Sequence, residues 1–238
     1  MRETEFDLFC LPFSGASAYS YKPFADHAPS GLRLIPLELP GRGRRLREPL
    51  LTDLRQMVGD LLPRVRAAID RPYAVYGHSL GALLGFYLVK ELVEAGEPLP
   101  LYLFFSGRAG PSIPYEENER HLLPRDQFFD KVLAMGGSPS AVFADEEMAV
   151  FFEPILRADF CAAETCVYQT SAPFDIPIDV LIGTDEKISK TQAMAWSRET
   201  NAGVEVLEFP GNHFFIFDHS EAIMQHISSR LRYCTQVV

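Results

Sequence analysis

One serine in this sequence has neighbours that would make it a nucleophile. Ser79 is the centre of a Gly-His-Ser-Leu-Gly pattern at 77–81, which follows an apolar run at 73–76 and precedes a helical pattern at 80–95. A Gly-x-Ser-x-Gly pattern between a strand and a helix is typical of a tight turn that holds a serine hydroxyl above a sheet. Glycine is favoured at both outer positions because a side chain there would collide with the neighbouring strand or helix. We therefore predict nucleophilic catalysis by Ser79.

A serine hydroxyl is a weak nucleophile at neutral pH, so Ser79 needs a base and a carboxylate that orients the base. With a turn of this kind, the three residues follow one another in the order serine, acid, histidine. His213 lies in the loop after the last predicted strand, and Asp185 lies in the loop after the preceding strand. We predict these two as base and acid, with Glu186 as an alternative acid, and we expect His78 to pack or bond locally.

Two backbone N–H groups should stabilise the oxyanion that forms when a carbonyl group is attacked. One is predicted to be the amide of Leu80, which begins the helix after the nucleophile. The other should come from the loop of small residues after the first predicted strand, where we predict the amide of Ser14. Small residues let the backbone approach a substrate closely, although a plain tight turn would also favour them.

Strands and helices alternate through most of the chain, which predicts an α/β fold with a mostly parallel sheet flanked by helices. The predicted strands are 6–13, 32–39, 73–76, 101–106, 178–182 and 204–209. Helical spacing of apolar residues occurs at 54–69, where Thr52 should provide the cap and Pro63 should cause a kink or a break.

The alternation stops between 110 and 166, where no strand is evident and helical patterns occupy 125–135 and 146–157. A helical block inserted into such a series predicts a lid over the carboxyl ends of the strands. We therefore expect an α/β core formed by 1–109 and 167–238, with 110–166 as the inserted lid.

The predicted lid should move, because Gly136, Gly137 and Pro139 separate its two helices and glycine permits backbone changes that other residues resist. We predict that it controls access to Ser79 and that its exposed apolar residues partly line the acyl pocket, with ordinary core packing as the alternative. These residues include Phe128, Phe129, Met135, Phe143 and Phe151.

Composition excludes several classes of protein. The 238 residues carry a formal net charge of −10, which makes a nucleic-acid partner improbable on electrostatic grounds. No apolar run approaches the roughly 20 residues that cross a membrane, and no secretory signal is evident. The four cysteines lack the spacing of metal ligands, so we expect reduced thiols, no metal and a cytoplasmic protein.

Six motifs together resemble a known family, the type II thioesterases of polyketide and non-ribosomal peptide biosynthesis, which are related to the medium-chain acyl thioesterases. The motifs are Leu-Pro-Phe-Ser-Gly at 11–15, Leu-Pro-Gly-Arg-Gly at 39–43, Gly-His-Ser-Leu-Gly at 77–81, Leu-Ala-Met-Gly-Gly-Ser-Pro at 133–139, Pro-Ile-Leu-Arg-Ala-Asp-Phe at 154–160 and Gly-Asn-His-Phe-Phe at 211–215. The resemblance extends over nearly the whole chain. It departs from the family pattern at Ser14 and Ala16, at Asn212, and at 184–186, where Thr-Asp-Glu replaces Asp-x-x-Asp.

This resemblance implies the α/β-hydrolase fold and the hydrolysis of acyl groups from the phosphopantetheine arm of acyl or peptidyl carrier proteins. Acylation of Ser79 would release the pantetheine thiol, and water activated by His213 would release the acyl group, with no metal or nucleotide cofactor. Alternatives are a generic carboxylesterase, an acyltransferase and a non-catalytic carrier-protein binding module. We expect a monomer.

Four arginines within six positions form a basic cluster, namely Arg42, Arg44, Arg45 and Arg47. Carrier proteins are generally acidic, so a basic surface near the site would help this acidic chain to bind one. Alternatively, these arginines pair with carboxylates of the chain itself. For Arg42, which lies inside the Pro-Gly-Arg-Gly turn, we expect such a structural pairing.

Overall fold

A six-stranded parallel sheet is the centre of the structure, a computed structural model that describes residues 6–115, 119–136 and 145–236. The strands are β1 (Phe6–Leu11), β2 (Leu32–Pro36), β3 (Tyr73–His78), β4 (Leu103–Ser106), β5 (Ile178–Gly183) and β6 (Val204–Phe209). Their order is β2-β1-β3-β4-β5-β6, and every neighbouring pair is parallel. The predicted α/β class with a parallel sheet is confirmed.

The strand order reverses at β1, which lies between β2 and β3. At such a point, the chain leaves the carboxyl ends of two adjacent strands in opposite directions, and a crevice opens between the two loops. The loops after β1 and β3 therefore lie side by side at this crevice, and they carry Ser14 and Ser79.

Helices cover both faces of the sheet. They are α1 (Lys22–Asp26), α2 (Leu54–Ala68), α3 (Leu80–Glu94), α4 (Arg125–Ala134), α5 (Glu146–Glu164), α6 (Lys190–Met194), α7 (Phe215–Asp218) and α8 (Ser220–Gln236). The apolar faces of α2 and α3 pack on one side, and those of α1 and α8 pack on the other. Strands β1, β3 and β5 are buried along their whole length, as expected for a parallel sheet that is covered twice.

The predicted cap of α2 is wrong, and of the kink or break predicted at Pro63, the break does not occur. Asp53, not Thr52, is the N-cap, and its side chain accepts a hydrogen bond from the Gln56 amide at 2.9 Å. The helix continues through Pro63 rather than breaking there. Pro63 is exposed, so water can reach the carbonyl group that proline leaves without a donor, while the buried face of the helix keeps its packing.

The helical segment between β4 and β5 contains α4 and α5, and its described residues form no strand, as predicted. These helices share a small apolar cluster, formed by Phe128, Phe129, Val132, Ala149, Leu156 and Phe160. For Phe128 and Phe129 this favours core packing over the lining of a pocket. Three residues of the predicted hinge and pocket, Gly137, Pro139 and Phe143, lie outside the described residues.

Within the described ranges, no helix is long and apolar enough to cross a membrane. The cysteines are free thiols, and Cys10 is buried in β1.

Candidate active site

The turn after β3 holds Ser79 in a strained conformation. Its φ is 54° and its ψ is −113°, and it is the one non-glycine residue with positive φ in the described part of the chain. Such a conformation costs about 1–3 kcal/mol, which the surrounding contacts must offset. A Cβ atom on Gly77 would lie 2.2 Å from the Gly81 carbonyl oxygen, and one on Gly81 would lie 2.6 Å from that of Leu11. The predicted steric need for both glycines is confirmed.

Glu186, rather than Asp185, is the carboxylate that contacts His213. Glu186 Oε2 lies 2.8 Å from His213 Nδ1, and Glu186 Oε1 accepts a hydrogen bond from the Gly183 amide at 2.7 Å. Its side chain is only 4% exposed. Asp185 is exposed and accepts a hydrogen bond from the Thr184 hydroxyl. The geometry therefore favours the alternative, Glu186, over Asp185 as the carboxylate that orients His213.

The backbone explains this geometry. The Asp185 amide donates to the Gly211 carbonyl at 2.9 Å, which joins the loop after β5 to the loop that carries His213. The two loops approach so closely that a Cβ atom on Gly183 would lie 2.6 Å from the carbonyl oxygen of Gly211. In this arrangement the Asp185 side chain faces solvent, and the longer Glu186 side chain turns back towards the imidazole.

The hydrogen bond that Glu186 accepts from His213 determines which nitrogen of His213 can act as a base. When Nδ1–H donates to the carboxylate, the neutral ring carries its lone pair on Nε2. That Nε2 is buried and has no hydrogen-bond partner among the described residues. His213 and Ser79 both line a small apolar pocket and the larger cleft beside it.

His78 forms the buried support beneath His213, and the predicted local role is confirmed. Its Nδ1 lies 3.0 Å from the Ser106 hydroxyl, which also contacts the Tyr76 hydroxyl at 2.9 Å. Burial, and then the charge of nearby His213, hold the pKa of His78 well below its usual value. The two imidazole rings lie 4.7 Å apart, so a neutral His78 leaves His213 free to become protonated without a second charge beside it.

The two predicted oxyanion donors lie beside the nucleophile. Leu80 is the first residue of α3, and the first amides of a helix have no acceptor within the helix. Ser14 lines both cavities together with Ser79. The next amide in that loop, Gly15 N–H, is already engaged, since it donates to Asp159 Oδ2 at 2.7 Å.

A cleft of about 370 Å³ opens from Ser79. It lies between the helical segment and the loops at the carboxyl ends of the strands, which we call the sheet edge. Met135 and Phe160 contribute apolar surface, so the predicted pocket position of Met135 is confirmed. Arg108, which is 8% exposed, lines the cleft and lies over the Tyr115 ring at 3.7 Å. Lys131 and Lys187 add further positive charge to its walls.

The four clustered arginines have different roles. Arg42 is buried and forms two hydrogen bonds with Asp159, so its predicted structural pairing is confirmed. Arg45 is also structural, because its guanidinium pairs with Glu48 and Asp60 and its side chain is only 10% exposed. Arg44 and Arg47 remain exposed.

Asp159 is a residue of the site that was not predicted from the sequence, although it lies in the Pro-Ile-Leu-Arg-Ala-Asp-Phe motif at 154–160. It lies on the buried face of α5, whose neighbouring buried residues are apolar and include Ala158 and Phe160. An aspartate on a buried helix face requires a buried partner. That requirement is the signal that could have connected it with Arg42.

Comparison with known proteins identifies the family of the chain. The family model described as "Thioesterase domain" matches residues 6–231. The chain is 33% identical over 226 residues to the gramicidin S biosynthesis protein GrsT of Aneurinibacillus migulanus. The alignment covers 94% of this chain and 88% of that protein. It is 28% identical over 225 residues to the human medium-chain S-acyl fatty acid synthase thioesterase, with 91% of this chain and 83% of that protein covered.

Solved structures show the same relationship. ClbQ, from the colibactin NRPS/PKS pathway, superposes with a TM-score of 0.92 at 31% identity, covering 99% of this chain and 100% of ClbQ. BorB, the type II thioesterase of the borrelidin biosynthetic cluster, gives a TM-score of 0.88 at 33% identity, with coverages of 96% and 93%. The chain therefore belongs to the thioesterase family and is a thioester hydrolase with the α/β-hydrolase fold.

Proposed function

We propose that this enzyme hydrolyses acyl thioesters on the phosphopantetheine arm of a carrier protein, with Ser79 as nucleophile and His213 as general base. One observation carries the proposal. Glu186 holds one nitrogen of His213 at 2.8 Å, while the other nitrogen is unpartnered within the described residues, in a ring that lines the same cavities as Ser79.

In the first step, Ser79 Oγ attacks the thioester carbonyl carbon and its proton moves to His213 Nε2. The Glu186 carboxylate stabilises the imidazolium that forms, and neutral His78 does not oppose it. The negative charge that develops on the carbonyl oxygen is stabilised by the amides of Leu80 and Ser14.

In the second step, the carbon–sulfur bond breaks, the pantetheine thiol leaves with the proton from His213, and the acyl group remains on Ser79. Water then attacks this ester after losing a proton to His213 Nε2, and the Ser79 oxygen recovers that proton as the free acid leaves. No step requires a metal or a redox cofactor.

The printed names of the relatives support a synthase-bound substrate. GrsT belongs to gramicidin S biosynthesis, and BorB belongs to a borrelidin cluster. We propose that the present enzyme likewise clears stalled or wrongly loaded acyl groups from its carrier protein or releases a product. Its free cysteines are consistent with action in the cytoplasm, and we propose that it acts there as a monomer.

A panel of carrier proteins loaded with different acyl groups tests the proposal. Wild-type enzyme should hydrolyse them faster than simple aryl esters at equal concentration, and Ser79→Ala should not. Faster turnover of simple esters would indicate a carboxylesterase, and transfer to added alcohols or amines would indicate an acyltransferase. A lack of both hydrolysis and labelling by a serine-directed phosphonate would indicate a binding module.

A further inference from the structure

Asp159 joins the helical segment to the loops of the sheet edge. Its side chain is fully buried on α5, and it accepts two hydrogen bonds from the Arg42 guanidinium at 2.6 and 2.8 Å. A third comes from the backbone amide of Gly15 at 2.7 Å. One carboxylate thus binds the loop after β2 and the loop after β1, and both loops lie at the crevice that contains Ser79.

The contact with Gly15 is close to the reacting groups. Gly15 directly follows Ser14, whose amide is the proposed oxyanion donor. Leu156, one turn before Asp159 on the same helix, fills the space where a Gly15 side chain would be, since a Cβ atom there would lie 2.8 Å from Leu156 Cδ2. Gly15 itself has a φ of +78°, so this part of the loop depends on the contacts that hold it.

We infer that Asp159 is a positioning residue for the oxyanion hole. It holds the Gly15 peptide and thereby directs the preceding Ser14 amide towards the carbonyl oxygen of a substrate bound at Ser79. The oxyanion hole is then complete only when α5 is docked on the sheet edge. This inference rests on the proposed function, because it assigns Asp159 to the reaction described above.

The charge of Arg42 is what allows a carboxylate to perform this task. A buried carboxylate without a cation is strongly destabilised, and an arginine fork satisfies both of its oxygens. Asp159 Oδ2 then serves Gly15 as well as Arg42, so the amide of the loop is held by a charged acceptor. Hydrogen bonds to a charged acceptor are shorter and stronger than those between neutral groups, so this bond fixes the backbone position of the loop more firmly.

The same helix provides a matched control. Glu164 is also a fully buried carboxylate of α5, and it pairs with Arg120 Nε at 2.6 Å and with His121. Among the described residues, its hydrogen bonds come from Arg120 and His121 and none comes from the loop of Ser14. Asp159→Asn and Glu164→Gln each remove one buried charge from α5, but only the first weakens the hold on Gly15.

The experiment measures kcat, KM and melting temperature with a short acyl-pantetheine thioester. Since misdirecting one oxyanion donor costs up to about 10²-fold, Asp159→Asn should lower kcat about 10- to 100-fold and leave KM within about twofold. Glu164→Gln should lower the melting temperature comparably but keep kcat within about twofold of wild type. Equal kcat losses in the two variants, or a loss confined to KM, would overturn the inference.

Two further measurements keep the test decisive. If Asp159→Asn does not fold, the Gly15 amide of the wild-type enzyme should still show a downfield proton shift and slow exchange by NMR, and a freely exchanging amide would overturn the inference. Ser79→Ala separates the inference from the function on which it rests. Near-normal turnover in Ser79→Ala would refute the catalytic proposal, whereas a strongly impaired Ser79→Ala with an unimpaired Asp159→Asn would refute only the role of Asp159.

Discussion

The sheet edge and the helical segment hold the site in different ways. At the sheet edge, Ser79 is fixed by its backbone, since its amide donates to the Ser106 carbonyl at 2.8 Å and glycines bring the turn against β1 and α3. The helical segment has a separate, smaller apolar cluster. Asp159 links it to the loops around Ser79 through buried hydrogen bonds from Arg42 and from the Gly15 amide. The candidate catalytic residues are thus attached to the sheet, whereas part of the cleft is formed by helices that pack largely in the smaller cluster, with Ala162 and Ala163 at the end of α5 joining the main core.

The largest expected effects come from the sheet edge. Ser79→Ala and His213→Ala should each lower kcat by about 10³-fold or more, and the double variant should be little worse because the residues act as one unit. Steady-state kinetics on an acyl-carrier protein measures this. Near-normal turnover by Ser79→Ala would contradict the assignment of the nucleophile.

Adjacent carboxylates provide the next comparison. Glu186→Gln should lower kcat by about 10²-fold or more, because an amide neither stabilises the imidazolium nor fixes the tautomer of His213. Asp185→Asn is the matched control and should keep kcat within about twofold, since its exposed side chain lines the cleft but bonds to Thr184 rather than to His213. If Asp185→Asn were the more damaging variant, the geometric assignment of the acid would be wrong.

These two cases also show what can be predicted from sequence. The turn at Ser79 was predictable because its geometry depends on residues within five positions, and the glycines needed there are unmistakable. The choice between Asp185 and Glu186 depends instead on the bond from the Asp185 amide to the Gly211 carbonyl, across 26 residues of chain. No local pattern determines which of two adjacent side chains will face the imidazole.

The same distinction applies to the arginine cluster. The structural role of Arg42 was predicted from its position in a turn, but its partner Asp159 is 117 residues away. Arg45 was equally basic in the sequence, and its pairing with Asp60 on α2, in addition to nearby Glu48, makes it structural. The fold class and the helix predicted at 125–135, which is α4 in the structure, followed from periodicity, whereas these pairings required the tertiary structure.

Hydrogen exchange can test whether the helical segment is the less stable body. We expect faster amide exchange in α4 and α5 than in α3, because α3 packs in the main core and α4 packs in the small cluster.

Phe86→Ala and Phe128→Ala form a matched pair, since both rings are fully buried. Phe86→Ala should lower the global free energy of unfolding by about 3–5 kcal/mol. Phe128→Ala should instead accelerate exchange within α4 and α5, and equal exchange in all three helices would contradict a separate body.

The smallest expected effect concerns docking of the carrier protein. Arg44 and Arg47 are the exposed members of the cluster, and the turn that presents Arg44 is held by Glu38, which accepts from the Arg44 amide at 2.9 Å. Beside them, Tyr19 and Leu46 expose 63% and 52% of their surface. A rigid surface of positive charge next to apolar groups suits an acidic carrier protein and the phosphate of its arm.

The double variant Arg44→Ser/Arg47→Ser should therefore raise KM for acyl-carrier protein about threefold and weaken its dependence on salt, because exposed charges act mainly on association. The control is Arg64→Ser/Arg66→Ser, which removes the same charge near the C-terminal end of α2. That end of the helix leads into the amino end of β3, at the opposite end of the strand from Ser79. The control should leave KM unchanged. Hydrolysis of an acyl-pantetheine thioester without the protein and phosphate should be unaffected in both variants. If that small substrate suffers as much as the carrier protein, Arg44 and Arg47 support the cleft itself, and carrier docking must be assigned to another surface.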